Sequence, residues 1–189
     1  IKTLSDIAEN KVPARVLLNK RGNGASQVGG SMLEAVGAGA DNLKSWGGDV
    51  VYAASKEQGE LMRDRRADVL LNSLFVNHRS IRQLAESLDV VLVDIDADAA
   101  ATVTKDWNIG TYTIGNDAYG WSAGDVTTPT LSAQLFVRAD ADPKMVGDIT
   151  AALVNNIDLV RGVHKAMKPL SVDLMGGSKA IAYHPQAAM

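Results

Sequence analysis

Apolar residues recur along the chain in two alternating rhythms, short unbroken runs and one-sided helical stripes. The first run, Arg15-Val16-Leu17-Leu18, predicts a strand that leads into the polar loop Asn19-Lys20-Arg21-Gly22-Asn23-Gly24-Ala25-Ser26. Val28, Met32, Ala35 and Val36 then fall at i, i+4, i+7 and i+8, the stripe of a helix packed on one side. Gly37 and Gly39 end it. Asp49-Val50-Val51-Tyr52-Ala53 predicts a second strand, and Ser55 to Arg66 a helix buried through Leu61 and Met62. Val69-Leu70-Leu71 predicts a third strand, ending in the polar pair Asn72-Ser73. Ile81, Leu84, Ala85 and Leu88 mark the clearest helix of the chain, and Val90 to Ile95 predicts a buried strand. Strands alternating with amphipathic helices indicate an α/β protein with a mostly parallel sheet.

Between Gly110 and Thr130 the rhythm stops. Gly, Asn, Asp, Thr and the aromatics Tyr112, Tyr119 and Trp121 dominate, which reads as loop and short strand near a surface or cleft. Leu131 to Arg138 is read as extended. Asp142-Pro143 pairs a helix cap with proline at the first helical position. The predicted helix carries Met145, Ile149, Ala152, Leu153 and Val160 on one side, with Gly162 as its stop. Lys168-Pro169 interrupts the chain before a last helical stretch from Ser171.

Composition narrows the function classes. A chain of 189 residues, 46% hydrophobic and 22% charged, holds one large domain, or one domain and part of a second. No apolar run approaches the ~20 residues of a membrane span. A net charge of -3 gives no electrostatic footprint for nucleic acid. Arg63, Arg65 and Arg66 lie among Glu60, Asp64 and Asp68, the composition of a solvated helix face. The absence of cysteine excludes thiolate metal sites, thiol nucleophiles and disulfides. Residue 1 is Ile and no signal-peptide pattern follows, so the chain is expected to begin after processing or truncation.

Candidate chemistry centres on the loop from Arg21 to Ser26. Between a strand and a helix, unpaired N–H groups and the helix dipole favour an anion. Gly22 and Gly24 permit close backbone approach, and Arg21 offers a bidentate partner for a carboxylate. The loop is not a Walker loop, lacking Gly-Lys-Ser/Thr, nor a dinucleotide fingerprint. Asn72 and Ser73 lie just past a strand's carboxyl end, where open α/β sheets bind ligands; ordinary turn chemistry explains them equally well. Asp94, Asp96 and Asp98 imitate a calcium loop, but Ala99 and Lys105 occupy its glycine and glutamate positions. They are read as caps of the following helix. His78, His164 and His184 lack metal-type spacing, and no catalytic signature is present. No metal or cofactor is expected.

In order along the chain, Thr3-Leu4-Ser5-Asp6-Ile7, Gly22-Asn23-Gly24-Ala25, Leu33-Glu34-Ala35-Val36-Gly37, and the run from Gln58 through Asp68 to Val69 form a colinear set of motifs. Asp125-Val126-Thr127-Thr128-Pro129-Thr130, Ala133-Gln134 and Ala182-Tyr183-His184-Pro185-Gln186-Ala187 complete it. Together they resemble the TAXI family of TRAP-transporter solute receptors, also called NMT1-like. The resemblance implies a periplasmic binding protein-like fold of type II, with ligand held between two lobes. Residues 1–127 would form the second lobe, and 128–189 the hinge return and a C-terminal segment of a first lobe otherwise missing. It also implies a periplasmic receptor that hands a small organic acid or amino acid to a TRAP-type membrane permease. The family's Ser and Thr in the glycine loop are Asn23 and Ala25 here, with Ser26 a candidate replacement donor.

The site expected from these readings comprises Arg21, Gly22, Asn23, Gly24, Ala25, Ser26, Asn72, Ser73 and Tyr112. Tyr112 packs either on the ligand's carbon skeleton or in the core. No bond chemistry is expected. Two other classes stay open: the effector-binding domain of a transcription regulator, and a small α/β enzyme using the glycine loop as an anion site. Apolar residues of 130–160 left without a sheet would make the chain either self-associate through that segment or rest on a missing N-terminal part.

Overall fold

The computed structural model describes residues 1–177 and 181–188. They form two compact units, Ile1–Leu131 and Ser132–Met189. In the first unit the order is α1 (Asp6–Glu9), β1 (Arg15–Leu18), α2 (Gly24–Ala35), α3 (Ala40–Ser45), β2 (Asp49–Tyr52), α4 (Ser55–Arg63) and β3 (Val69–Leu70). Then come α5 (Arg79–Ala85), α6 (Ala97–Trp107), β4 (Gly110–Ile114) and β5 (Val126–Thr130). The protein is α/β, as the alternation of runs and stripes predicts.

β1 is the central strand of a parallel sheet in the order β2-β1-β3, with Leu18 opposite Tyr52 and Leu17 opposite Leu70. Its apolar run is unbroken because both faces are covered. Val16 and Leu18 enter a core with Val28, Met32 and Leu33 of α2, Leu43 of α3, and Ile7 and Val103. Leu17 faces the other way, onto Ala53, Ala67 and the half-buried Leu61 and Met62 of α4. In α4 the fully buried positions are Gln58 and Gly59, not Leu61 and Met62. That helix is also shorter than predicted: Asp64 caps it and Arg65 turns left-handed at φ 55°. At the amino end of the sheet Arg15 grips Asp68 through two contacts, Nη2–Oδ1 2.7 Å and Nε–Oδ2 2.9 Å. The guanidinium hydrogen bonds hold the Asp68 carboxyl below its usual range.

Residues 90–95 form no strand. Only a single parallel bridge joins Thr3 to Asp94, with Leu4 N–H donating to Asp94 O at 2.8 Å. Both edges of β1 are already taken by β2 and β3, and Val91 is 68% exposed, so a hydrophobic run alone did not define a ladder. The aspartates that follow do not cap α6 through their side chains. Asp96 occupies the N-cap position, but its carboxylate accepts from the Ser5 N–H at 3.1 Å, which ties α1 to α6. Trp107 at the far end of α6 donates to Ser31 of α2 at 3.0 Å.

β4 and β5 form a separate antiparallel ribbon pairing Tyr112 with Thr128. β5 runs to Thr130, so the hairpin from Gly110 belongs wholly to the first unit. Beside it the Tyr119 and Trp121 rings stack at 4.8 Å, and the Tyr119 hydroxyl accepts from the Asn77 N–H at 2.9 Å.

The second unit contains α7 (Pro143–Asn155), α8 (Ile157–Val163), a 3-10 turn (Lys165–Met167) and α9 (Val172–Gly176). Asp142 caps α7 by accepting from the Lys144 N–H at 3.1 Å, with Pro143 at the first position as expected. The predicted single helix breaks at Asn156, which places Val160 in α8, and α8 runs past Gly162 to Val163. Leu131 to Arg138 joins no sheet, and Leu135 and Phe136 are exposed at 73% and 65%.

One glycine is fixed by close backbone approach rather than by torsion. A Cβ on Gly48 would lie 2.3 Å from the Ala14 carbonyl oxygen and 2.9 Å from its nitrogen. Backbone on both sides cannot move aside without disturbing the Arg15↔Asp49 register. Gly48→Ala is expected to cost ~1–3 kcal/mol of stability, as overpacking does. Urea denaturation measures it, and an unchanged midpoint would contradict this packing.

Candidate functional site

The carboxyl end of the parallel sheet gathers the polar groups. β1 ends at Leu18, and Asn19 and Lys20 follow into a turn in which the Asn23 N–H donates to Lys20 O at 3.1 Å. Gly22 sits in this turn at φ 80°, a conformation that glycine adopts without strain. Asn23 then caps α2, its Oδ1 accepting from the Ala25 N–H at 2.9 Å. The N–H groups of Ser26 and Gln27 go to the Asn23 carbonyl at 3.0 and 3.1 Å. Among the described residues, the N–H groups of Gly22 and Gly24 have no hydrogen-bond partner. The loop therefore caps its own helix while keeping two glycine donors free.

The Ser26 hydroxyl is buried and directed inward, 2.9 Å from Lys20 O and 2.7 Å from Asn23 O. In this conformation it locks the loop. Ala25 is buried as well, so the loop offers a ligand its glycine backbone and the exposed Arg21. A shallow depression of about 210 Å³ is lined by Arg21, Gly22, Ser26, Gln27, Gly30 and Tyr52. The Arg21 guanidinium carbon lies 3.9 Å from the centre of the Tyr52 ring. A larger concavity of about 420 Å³ lies at the opposite edge of the sheet, around Arg15, Arg65 and Asp68. There Arg15 and Asp68 already satisfy each other, which leaves the carboxyl edge as the candidate site.

Behind the loop runs a chain of amides whose direction is fixed at one end. The Lys20 N–H donates to Asn19 Oδ1 at 2.7 Å, so the Asn19 Nδ2 group is the donor to Asn72 Oδ1 at 3.1 Å. Asn72 Nδ2 must then donate onward, to Gln58 Oε1 at 2.8 Å and Ser55 Oγ at 3.2 Å. Gln58 is 1% exposed, and its Nε2 has no partner among the described residues. The pair Asn72-Ser73 thus divides: Asn72 cross-links the ends of β1 and β3 to α4, while Ser73 is exposed. Asn72→Leu would strand the half-buried Asn19 Nδ2 and the buried Gln58 Oε1, and is expected to cost ~1–3 kcal/mol. A urea midpoint equal to the parent's would show that the relay is not formed.

Tyr112 is not in the core. It stands on the β4–β5 ribbon and is 49% exposed; the buried tyrosine of this region is Tyr119, at 7%. Asn19, Tyr52, Ser55, Gln27 and Gln58 line or support the site without any sequence signal singling them out. Their shared feature, position at a strand end or in the first turn of a helix, was available from the strand assignments. Among the described residues no group of three or more His, Asp or Glu is placed to hold a metal ion. None of the described helices is long and apolar enough to cross a membrane.

The arrangement offers as donors a guanidinium and two glycine N–H groups, and among the described residues that line the depression there is no His, Asp or Glu. Such a surface can hold an acceptor-rich small molecule. No curated protein matches the chain. Across residues 1–189, however, the sequence matches the NMT1-like family, and the chain belongs to that family of solute-binding proteins.

Proposed function

We propose that the chain is the ligand-binding part of a periplasmic solute receptor of the TAXI type, serving a TRAP-type transporter. It binds a small organic acid or amino acid and releases it chemically unchanged. The observation that carries this reading is the depression at the carboxyl edge of the parallel sheet, lined by Arg21 and by Gly22, whose N–H is free among the described residues, as is that of Gly24 in the same loop. Carboxylate oxygens accept from such donors in charge-assisted hydrogen bonds. Family membership supports a solute as the ligand. In a type II binding fold, residues 1–127 act as the second lobe and 128–189 as the hinge return; closure on ligand would create the surface that a permease recognises.

A panel of small carboxylates, amino acids, neutral sugars and organic cations, read by thermal shift and mass spectrometry, tests both halves of the proposal. Stabilisation by organic anions with every compound recovered intact is the expected result. Binding confined to sugars or cations, or accumulation of a product, would refute it.

The second unit bears on partners. Leu135, Phe136, Leu159 and Val163 are each exposed at 65% or more. Exposed apolar side chains in such number on a soluble protein mark an association surface. The chain is expected to self-associate, and Leu135→Asp with Phe136→Asp to shift it toward monomer in light scattering. A monomeric parent at high concentration would contradict this.

A further inference from the structure

Arg21 and Tyr52 reach the same depression from neighbouring strands. Tyr52 is the last residue of β2, opposite Leu18 of β1 in a parallel ladder, and Arg21 follows three residues later on the β1 side. Their separation, 3.9 Å from guanidinium carbon to ring centre, is within the range of a cation on an aromatic face. The guanidinium carbon thus lies over the ring, a position in which the group can lie flat on the aromatic face.

An exposed arginine otherwise samples many rotamers, and fixing it on binding carries an entropic cost. Stacking fixes it beforehand. It also leaves the in-plane N–H donors free, because the ring takes the face and not the edge of the guanidinium. That edge matches the two oxygens of a carboxylate, whereas a spherical anion can use only part of it. Gly22 and Gly30 line the same depression without a side chain to obstruct that edge.

The geometry points to Tyr52 as a positioning residue that holds the Arg21 guanidinium stacked, so that the depression selects planar carboxylates over halide ions. The inference rests on the carboxylate reading of the site and extends it to the residue that sets selectivity.

Acetate, titrated at constant ionic strength against chloride, is the probe, followed through the Gly22 and Gly24 amide signals in NMR. Tyr52→Phe keeps an aromatic face and should bind acetate within about twofold of the parent. Tyr52→Leu should bind it about two- to fivefold more weakly, the scale of an exposed cation–π contact, with chloride affinity unchanged. In an Arg21→Ala background, Tyr52→Leu should have no further effect. The Arg21 side-chain protons should show a ring-current shift in the parent and in Tyr52→Phe. This last readout needs no destabilising variant, and its absence in the parent would overturn the proposal. So would parent-like acetate binding by Tyr52→Leu, or an equal loss with and without Arg21. If Arg21→Ala weakens acetate and Tyr52→Leu does not, only the positioning role fails; if Arg21→Ala binds acetate as the parent does, the carboxylate reading at Arg21 fails with it.

Discussion

Arg21→Ala is expected to weaken binding of a small carboxylate by ~1.5–3 kcal/mol, the scale of a hydrogen bond to a charged group. That corresponds to roughly ten- to hundredfold in Kd. Stability should hardly change. The side chain is exposed, and what it loses on truncation is a stack on Tyr52 rather than core packing. Calorimetry on parent and variant separates the two quantities. Parent-like affinity would leave the Gly22 and Gly24 N–H groups as the anion donors and remove Arg21 from the site.

The largest loss of stability is expected from Leu17→Ala. Leu17 is fully buried on the central strand, between the sheet and α4, against Ala53, Ala67, Leu61, Met62 and Leu70. Truncation removes transfer free energy and leaves a cavity that small neighbours such as Ala53 and Ala67 cannot fill. A cost of ~2–5 kcal/mol is expected, against less than about 1.5 kcal/mol for the volume-conserving Leu17→Met. Urea denaturation of both variants checks it. A small effect of Leu17→Ala would mean that α4 does not cover this face of the sheet.

How far the sequence reveals this molecule depends on the kind of signal each element carries. β1, α2, β2 and the Asp142-Pro143 helix start were legible because period, cap and proline position all agree there. Val90 to Ile95 misled because hydrophobicity alone secures neither burial nor a hydrogen-bonding neighbour: Val91 is 68% exposed. The relevant neighbour is set by sheet order, which no local pattern encodes. Asp96 shows the same limit: its position as a helix cap was readable, but its carboxylate is drawn to Ser5, ninety-one residues earlier. Within the site, the glycine loop could be located from sequence and Arg21 singled out as its cation. The Tyr52 stack and the Asn19–Asn72–Gln58 relay could not be, since they join β1, β2, β3 and α4 ends that are distant in the chain. Nor could the inward turn of the Ser26 hydroxyl, which depends on how tightly the loop closes on Lys20.

The central claim, that a small organic anion binds at the carboxyl edge of the parallel sheet, is tested most directly by mapping amide chemical shifts during titration with the tightest carboxylate of the panel. Changes concentrated at Arg21 to Ser26 and at Asn72 and Ser73, saturating together, are the predicted result. Changes concentrated at Arg15, Arg65 and Asp68 on the opposite edge, or none anywhere with an anion shown to bind by calorimetry, would contradict it.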